Sequence, residues 1–287
     1  MTDSNSKNSK FERITSRNNP LIVTMAKLDQ KKYRDETGLF LIDGVKLYRE
    51  AKAAGSDVFA VFVREDAADE LISSAGGIAK DTRVIIVPDS VMDRITEERF
   101  PEGMVSAVRY SDSIKREESA AGFDAKFYSG RRILILDGIQ DTGNMGAIMR
   151  SARAFGIDTI ICGPGCADVY GRRVMRASMG AALRLMCVYI DNLSDVCRKL
   201  LHAGRRIFAA CPDGDKPCGG NFEPEGGFKP LDCIVIGNEG HGVSDDVLSL
   251  CTGRVTVPMS EGQESLNAAC AATVILWERY KSELRGI

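Results

Sequence analysis

The chain has 287 residues, 44% of them hydrophobic and 27% charged, which is enough material for two buried cores. No apolar run approaches the roughly 20 residues that cross a bilayer, so the composition excludes a membrane-spanning protein and predicts a soluble, globular chain. Lysine and arginine number 38 against 40 aspartate and glutamate, a net charge of −2. Taken alone, this sum argues against nucleic-acid binding.

The cysteines suggest where the protein works. All nine lie between Cys162 and Cys270, and none belongs to a CxxC pair. The only histidines are His202 and His241, so the sequence offers no zinc-ligand set and predicts no metal. The first residues lack the apolar segment of a signal peptide. We expect reduced, mostly buried thiols and a cytoplasmic protein.

The N-terminal part of the chain predicts a small α/β domain. Residues 1–12 are polar and are expected to form a disordered tail. Apolar residues from Leu21 to Leu28 recur at helical spacing, and the apolar run that follows at 38–42 predicts a buried strand. Helices are then predicted at 45–54, 66–72 and 89–95, alternating with strands at 58–63, 84–87 and 104–108. The domain would span 13–109, and the charged stretch 110–130 is expected to be a linker.

A second, more regular unit is predicted over 131–287. Strands are expected at 132–136, 158–161, 185–190, 206–210, 232–236 and 254–257, with helices near 144–155, 172–180, 193–203, 244–251 and 265–283. Strands separated by helices predict an α/β domain with a mostly parallel sheet. Ligands bind beyond the carboxyl ends of such strands, so the loops after 136, 210, 236 and 257 are expected to carry the chemistry.

The first of these loops is glycine-rich and enters a helix that carries Arg150 and Arg153. Glycine lets backbone approach a ligand closely, and a helix N-terminus presents free N–H groups to an anion. Arg150 could add a bidentate grip on a phosphate. An ordinary strand-to-helix turn with a surface arginine explains the segment equally well. Neither GxGxxG nor a P-loop is present.

Two later loops are more unusual. Gly237–Ser244 holds three glycines within six residues, which predicts backbone packed where side chains would not fit. Its Glu239 could meet a ligand hydroxyl or a cation, whereas His241 is interpreted as a solvent-exposed loop imidazole. In the last loop, Ser265 is explained by helix capping. Asn267 precedes a run of small residues that predicts tight packing.

Three segments carry motifs that point to one family. The first reads Asn144-x-Gly146-x-x-x-Arg150 followed by Ala154-Phe155-Gly156, the second Ile236-Gly237-Asn238-Glu239-Gly240, and the third Val257-Pro258-Met259 and then Ser265-Leu266-Asn267. Together they resemble the SpoU/TrmH family of the SPOUT class, RNA ribose methyltransferases that use S-adenosylmethionine. The stretch from Ile14 to Gly44 resembles the substrate-binding domain of the ribosomal-RNA branch. Departures are Asp43, Thr142 and Gly171-Arg172-Arg173, where relatives often have Glu, Pro and Asn-Pro-Lys.

The resemblance implies a fold and a donor site. In the family, the C-terminal part of the catalytic domain is threaded as a trefoil knot, and the small α/β domain before it binds RNA. The methyl donor lies among the knot loops and is held largely by backbone groups. In this sequence these contacts fall on Ala209, Ala210, Cys211, Gly237, Val257, Met259 and Leu266. The family forms homodimers with the active site near the interface.

The resemblance also implies a reaction, the S-adenosylmethionine-dependent methylation of a ribose 2′-hydroxyl, with ribosomal RNA as the favoured substrate. We expect Arg150 to grip an RNA phosphate and orient the hydroxyl, with the phosphate or a perturbed arginine receiving the proton. Glu239, Ser265 and Asn267 would orient Arg150, the ribose and the loops, and Asn144 belongs to the same predicted catalytic set.

The charge distribution is consistent with an RNA substrate when it is read locally. Residues 1–34 contain eight basic and three acidic residues, a net charge of +5, so the remaining 253 residues carry −7. Lys31, Lys32 and Arg34 are therefore predicted, with Arg150, to contact RNA. A solvated tail and the polar face of a helix would explain the same charges.

Three other functions remain open at this point. A tRNA 2′-O-ribose methyltransferase would use the same motifs. A non-catalytic RNA-binding or ribosome-assembly factor could retain the fold. A Rossmann-type small-molecule methyltransferase is disfavoured because the glycine-rich loops occur late in the chain.

Overall fold

The computed structural model describes residues 11–97, 102–212, 216–217, 227–260 and 265–284. The chain divides into two compact units. Unit 1 comprises the chain up to Ser111 together with Tyr170–Arg176, and unit 2 comprises Asp112–Val169 and the chain from Ala177 onward. Within the described ranges, none of the helices combines the length and the apolarity that crossing a bilayer requires.

Unit 1 is built on a five-stranded mixed sheet. Its elements are β1 (Glu12–Arg13), α1 (Pro20–Lys27), α2 (Lys31–Thr37), β2 (Leu39–Asp43), α3 (Gly44–Ala53), β3 (Val58–Arg64), α4 (Ala68–Ser74), β4 (Arg83–Val87), α5 (Asp89–Ile95) and β5 (Met104–Arg109). The strand order is β1-β4-β3-β5-β2. Strands β1, β4 and β3 run parallel, and β5 is antiparallel to both β3 and β2.

Local sequence explains α1 better than α2. The side chain of Asn19 accepts a hydrogen bond from the Leu21 N–H at the start of α1, with Pro20 in the first helical position. Helix α2 was not predicted, because its sequence KKYRDET has no apolar periodicity. It ends at Gly38, whose φ of 65° lies in the left-handed region that glycine favours.

Both faces of the unit 1 sheet are covered. Phe62 and Ile85 pack into one cluster with Met25 of α1, and Val61 packs into another with Tyr48 of α3. Because side chains alternate across a strand, neighbouring residues of β3 serve the two clusters. The continuous apolar strands seen in the sequence follow from this double burial.

The segment Tyr170–Arg176 contributes a buried arginine to unit 1. Arg172 is only 5% exposed and forms ion pairs with Asp43 (3.4 Å) and Asp29 (3.3 Å). Its guanidinium also donates to the carbonyl oxygen of Ile95 (2.9 Å). Burial raises the pKa of Asp29, and the positive charge of Arg172 opposes that shift. Two of the family departures, Asp43 and Arg172, thus bind each other.

Unit 2 is built on an eight-stranded sheet. The elements that follow unit 1 are β6 (Lys115–Glu118), β7 (Ile133–Asp137), α6 (Thr142–Ala154), β8 (Thr159–Cys162), α7 (Arg172–Ala177, mostly in unit 1), β9 (Met186–Ile190), α8 (Leu193–His202), β10 (Ile207–Ala210), β11 (Lys216–Pro217), β12 (Cys233–Gly237), α9 (Asp245–Leu248), β13 (Gly253–Thr256) and α10 (Ala268–Leu284). The strand order is β11-β13-β10-β12-β7-β8-β9-β6, and every pair is parallel. The predicted parallel α/β architecture is confirmed.

The stretch 110–130 is not the linker that we expected. Strand β6 pairs with β9 at the edge of the sheet, and Phe123 and Tyr128 are buried with their rings stacked 4.8 Å apart. The sequence KREE hides this strand, because its charged side chains are accommodated at a sheet edge, where Glu117 is exposed and the buried Lys115 pairs with Asp168 (3.0 Å). The linker prediction was therefore wrong.

Two other boundaries also change. Glu12 belongs to β1, where it pairs with Ile85, so the predicted tail does not reach residue 12. Residues 1–10 lie outside the described ranges. The helix expected over 172–180 stops at Ala177, and Met179 takes a φ of 54°, which is unfavourable for a side chain with a Cβ.

The described cysteines are free thiols. Cys162, Cys187, Cys197 and Cys233 are buried, and Cys270 is exposed. Burial raises the pKa of Cys197 to about 12 and that of Cys233 to about 11, as expected for thiols that pack as small hydrophobes. Cys218 lies outside the described residues.

Candidate active site

A cavity of about 570 Å³ lies in unit 2 beyond the carboxyl ends of β10, β12 and β13. Its wall is completed by the chain that leads into α10. The lining residues are Ala210, Cys211, Pro212, Ile236, Gly237, Asn238, Glu239, Gly240, His241, Gly242, Val255, Thr256, Val257, Met259, Ser265, Leu266, Asn267, Ala268, Ala271 and Ile275. The volume is within the usual range of small-molecule sites, about 300–1,000 Å³.

The last residue of β12, Gly237, has no room for a side chain. A Cβ on Gly237 would lie 2.1 Å from the carbonyl carbon of Gly242 and 2.2 Å from the nitrogen of Val243. This close approach arises because the chain folds back at once, with reciprocal 2.9 Å backbone hydrogen bonds between Asn238 and Gly242. The close packing that the glycines predicted is thus backbone against backbone.

The tip of this turn is fixed by Asn238. Its side-chain oxygen accepts from the N–H groups of Gly240 (2.9 Å) and His241 (3.2 Å). Its amide nitrogen donates to the carbonyl oxygen of Gly138 (2.8 Å), in the loop after β7. Since β7 and β12 are neighbouring strands, one asparagine side chain ties together the two loops at their carboxyl ends.

A second tie joins the same loops. The N–H and the hydroxyl of Ser244 donate to the same Asp137 carboxylate oxygen at 2.8 and 2.7 Å. The loop after β8 also contacts β7, because the Cys166 thiol donates to the carbonyl oxygen of Leu136 (3.4 Å). The neighbouring Cys162 thiol and burial raise the pKa of Cys166. The turn after β12 is therefore bonded to the end of β7, which the loop after β8 also contacts.

Three predicted catalytic residues form one hydrogen-bonded chain. The amide nitrogen of Asn144 donates to Glu239 Oε1 (2.8 Å), and its oxygen accepts from the amide nitrogen of Asn267 (2.9 Å). Asn144 lies in the first turn of α6, where its N–H donates to the N-cap Asp141 (2.7 Å). Asn267 also accepts from the Ala269 N–H (2.9 Å) at the start of α10. These hydrogen bonds therefore connect the start of α6, the turn after β12 and the segment that leads into α10.

Asn267 therefore has the capping role that we assigned to Ser265. Its side-chain oxygen receives the Ala269 and Cys270 N–H groups, whereas Ser265 and Leu266 line the cavity before α10 begins at Ala268. The predicted helix start at 265 lay three residues too early. Ser265 is therefore a residue of the cavity wall and not the N-cap of α10.

Arg150 is not joined to this chain. It lies six residues after Asn144 on α6, about 9 Å farther along the helix axis at 1.5 Å per residue. Its side chain is exposed and makes no hydrogen bond or ion pair with another described residue. It is also not among the residues lining the cavity. Glu239, Ser265 and Asn267, which were expected to orient Arg150, thus form no described hydrogen bond or ion pair with it.

The predicted donor-binding residues agree with the cavity except at one position. Ala210, Cys211, Gly237, Val257, Met259 and Leu266 all line it. The side chain of Ala209 does not, because it is fully buried in the core cluster around Val235. Alternation along β10 sends the side chains of Ala209 and Ala210 to opposite faces of the sheet.

The predicted RNA contacts of unit 1 are mostly engaged within the unit. Lys31 pairs with Asp35 (2.6 Å) and Lys32 with Glu36 (3.9 Å), both at i,i+4 spacing on α2. Arg34 is only 4% exposed. Its guanidinium donates to the carbonyl oxygens of Leu28 (3.0 Å) and Asp29 (2.8 Å) in the turn between α1 and α2. The predicted role of Arg34 as an RNA contact was wrong.

One histidine lies at the cavity wall. His241 is exposed in the loop after β12, as the sequence predicted, and it lines the cavity beside Glu239. The glycine-rich loop signalled an unusual turn, and the Asn238 side chain binds the backbone N–H groups of Gly240 and His241 within it. Among the described residues there is no group of three or more side chains suited to hold a metal ion.

Comparison with known proteins is consistent with this geometry. Residues 131–277 match the SpoU rRNA Methylase family, and residues 19–106 match the MRM3-like substrate binding domain. The 23S rRNA (guanosine(2553)-2′-O)-methyltransferase RlmP of Bacillus subtilis is 24% identical over 273 residues, which cover 93% of this chain and 98% of that protein.

Solved structures share the fold across both units. A crystal structure of an RNA 2′-O ribose methyltransferase superposes with a TM-score of 0.76 at 25% identity and covers 95% of this chain and 99% of the other. An AdoMet-bound rRNA methyltransferase from Sinorhizobium meliloti superposes with a TM-score of 0.77 at 24% identity, covering 95% and 98%. The family match over half of the chain confirms the resemblance seen in the motifs. The protein belongs to the SpoU family of RNA methyltransferases.

Proposed function

We propose that this protein transfers a methyl group from S-adenosylmethionine to a ribose 2′-hydroxyl of ribosomal RNA. The observation that carries the proposal is the hydrogen-bonded chain Asn267–Asn144–Glu239 at the wall of the cavity. It brings the three family motifs together beyond the carboxyl ends of parallel strands, where ligands bind in such sheets.

The cavity fits the methyl donor in size and chemistry. The wall combines the apolar side chains of Val257, Met259 and Leu266 with the backbone of Gly237, which has no side chain to cover it. This suits a molecule with an adenine ring and a polar amino-acid end. Ala210, Cys211, Gly237, Val257, Met259 and Leu266 would hold it. When bound, S-adenosylmethionine supplies a methyl group on a positively charged sulfur.

The polar residues would position the RNA. Arg150 is exposed and has no hydrogen-bond or ion-pair partner among the described residues, which suits a guanidinium that binds a phosphate through two parallel hydrogen bonds. Asn144 and Asn267 hold the Glu239 carboxylate in place, and Glu239 and Ser265 would contact the ribose hydroxyls. Positioning of this kind supplies a large share of the acceleration in bimolecular transfers.

The substrate assignment rests on unit 1 and on RlmP. The match to a substrate binding domain over 19–106 and the similarity to an enzyme of 23S rRNA both favour ribosomal RNA. Lys31 and Lys32 remain proposed RNA contacts at the exposed surface of α2. In this proposal unit 1 binds RNA and unit 2 catalyses. The reaction would take place in the cytoplasm, where free thiols persist.

We also propose that the protein is a homodimer. Cys270, Trp277 and Leu284 are exposed and seven residues apart, so they lie along one face of α10. Trp277 is 41% and Leu284 44% exposed, which is typical of an apolar surface that a second copy covers. Sedimentation analysis should give a dimer for the unmodified chain and a monomer for Trp277→Glu. A monomeric unmodified chain would exclude this assembly.

We also propose that unit 2 contains the trefoil knot that the resemblance implies. Support comes from β12, which lies between β10 and β7, and from the backbone contact of Gly237 with the turn that follows it. A crystal structure traced continuously from β10 to α10 would test the threading.

Methylation assays on separated RNAs test the main proposal. Labelled S-adenosylmethionine, the protein and purified ribosomal RNA should give 2′-O-methylated nucleotides that can be mapped, and transfer RNA should not be labelled. If only transfer RNA were labelled, the assigned substrate would be transfer RNA and not ribosomal RNA. Calorimetry that detects no binding of S-adenosylmethionine would instead favour a non-catalytic RNA-binding factor.

A further inference from the structure

One aromatic ring of unit 1 lies between two arginines at an end of the sheet. It belongs to Phe59 of β3 and is partly exposed. The guanidinium carbon of Arg83, at the start of β4, lies 5.6 Å from the ring centroid, and that of Arg109, at the end of β5, lies 5.0 Å from it. Both arginines are exposed, and β4 and β5 flank β3 on either side. We call these three side chains the Phe59 platform.

A bulge in β3 sets the direction of the ring. The register with β5 shifts between Val58 and Ala60, which leaves Phe59 as an extra residue in the strand. Phe59 and Ala60 therefore pack against the same core cluster, whereas consecutive residues of a regular strand face opposite sides of the sheet. Alternation along β4 and β5 places Arg83 and Arg109 on this face too, each two residues from a member of the cluster. The bulge thus brings an aromatic ring between arginines of two other strands.

The ion pairs of the two arginines are compatible with stacking. Arg83 pairs with Glu12 (2.7 Å) and Arg109 with Asp57 (3.3 Å), and these side chains are between 45% and 70% exposed. A carboxylate binds the N–H groups at the edge of a guanidinium, whereas an aromatic group stacks on its planar face. The pairs therefore restrain the arginines beside the ring and use N–H groups, not stacking faces.

Aromatic rings beside guanidinium groups are typical of surfaces that bind unpaired nucleobases. Unpaired RNA bases stack on aromatic side chains and on the planes of arginines, and every base has a face suited to this contact. The range that matches a substrate binding domain, 19–106, includes Phe59 and Arg83. The chemistry of the platform and the family of unit 1 thus favour the same kind of ligand.

On the basis of the proposed RNA substrate, we infer that the Phe59 platform binds an unpaired base of single-stranded RNA by stacking. The two arginines and their partners Glu12 and Asp57 carry no net charge together, so the platform contributes stacking and little attraction for phosphates. Its contribution to RNA affinity is therefore insensitive to salt, in contrast to that of lysines that bind phosphates. Because stacking tolerates every base, the platform recognises that RNA is unpaired and does not read its sequence.

Binding of short RNAs to the full chain is the main test. Fluorescence anisotropy compares a labelled oligoadenosine with a fully paired RNA duplex of the same length at several salt concentrations. Phe59→Leu keeps an apolar side chain in the core and should lower the affinity for the single strand about tenfold, with an unchanged salt dependence and unchanged duplex binding. Phe59→Tyr keeps the ring and should bind as the unmodified protein does. Thermal unfolding establishes that both variants are folded.

Phe127 of unit 2 provides a matched control. It is 51% exposed and also lies near two arginines, Arg116 (5.2 Å) and Arg131 (5.6 Å), but outside the range that matches the substrate binding domain. Phe127→Leu should leave the affinity for oligoadenosine unchanged. A photochemical experiment locates the contact directly. Irradiated single-stranded RNA that carries 5-iodouridine should couple to the peptide containing Phe59 and should not couple to that peptide in Phe59→Leu.

The outcomes separate this inference from the proposed function. If folded Phe59→Leu binds oligoadenosine as tightly as the unmodified protein, the inference is wrong and the methyltransferase assignment stands. If Phe127→Leu alone loses affinity, unit 2 holds the stacking site and the inference is also wrong.

Two further results are decisive. If Phe59→Leu does not fold, the double variant Arg83→Lys, Arg109→Lys replaces it, because lysine keeps the charge but has no planar group. An unchanged affinity of this variant for the single strand would overturn the inference. If the unmodified protein methylates no RNA and binds no S-adenosylmethionine, the proposed function fails, whereas binding of single-stranded RNA that depends on Phe59 would still support the inference.

Discussion

The helix pair α1–α2 of unit 1 and the region around α6 and the cavity in unit 2 differ in what their polar side chains bind. In α1–α2, Lys31 and Lys32 pair with acidic residues one turn away, and Arg34 is buried against two carbonyl oxygens. In the α6–cavity region, Asn144 links Glu239 to Asn267 through amide and carboxylate groups, and Arg150 pairs with none of the residues that the structure describes.

This difference shows that a local excess of positive charge does not measure the charge available to RNA. The cations of α2 already have partners, so each binds a phosphate only by giving up part of an existing interaction. Arg150 is exposed and has no such partner within the described part of the chain. The region with fewer basic residues is therefore the one where a single substitution should matter most.

The largest effect is expected for Gly237→Ala. Its methyl group would overlap the backbone of Gly242, which cannot move without opening the turn after β12. We expect a loss of more than about 3 kcal/mol in the free energy of unfolding, beyond the usual cost of overpacking, and loss of S-adenosylmethionine binding by calorimetry. Gly240→Ala is the control, because its Cβ would meet Asn238 Oδ1 at an ordinary 3.5 Å. Equal stability of the two variants would contradict the backbone clash.

Arg150→Ala should follow. We expect single-turnover methylation to fall about 100-fold, equivalent to about 2.7 kcal/mol of transition-state stabilisation, with S-adenosylmethionine affinity unchanged. Arg153→Ala removes an exposed arginine from the same helix and should reduce the rate less than threefold. A normal rate for Arg150→Ala would exclude it from the reaction.

Arg34→Lys tests whether this arginine stabilises the fold or binds RNA. Lysine keeps the charge but cannot reach both the Leu28 and Asp29 carbonyl oxygens with the same geometry. Thermal unfolding should show a loss of about 1–2 kcal/mol, with the RNA affinity of the folded protein unchanged. If stability were unchanged and RNA affinity fell, Arg34 would be an RNA contact after all.

The smallest effect is expected for Lys31→Gln combined with Lys32→Gln. Exposed ion pairs contribute little, so the fold should lose less than about 1 kcal/mol. RNA affinity should fall less than about tenfold, and its salt dependence should weaken by no more than about one ion per lysine. Titrations at several salt concentrations measure both. Lys80→Gln, an exposed lysine elsewhere in unit 1, is the control.

Much of the fold could be predicted because it depends on burial. The apolar runs at Phe40–Ile42 and Ile133–Leu136 lie in sheets covered on both faces, and such strands are legible in sequence. Helix α2 and strand β6 were missed, because KKYRDET and KREE have few apolar residues and are held by ion pairs or by an edge position. Patterns of apolar residues cannot show elements stabilised in that way.

The sequence by itself determined the parallel α/β architecture of unit 2, the loops that form the cavity and the family. These follow from apolar periodicity and from glycines whose conformations few other residues adopt. Only the tertiary structure decided which side chains are available. It buried Arg34, gave Arg150 no partner among the described residues and moved the capping role from Ser265 to Asn267. Whether a side chain can bind a ligand depends on its contacts with residues that are far away in the sequence. Folding alone brings those residues together, so the sequence pattern does not show the contacts.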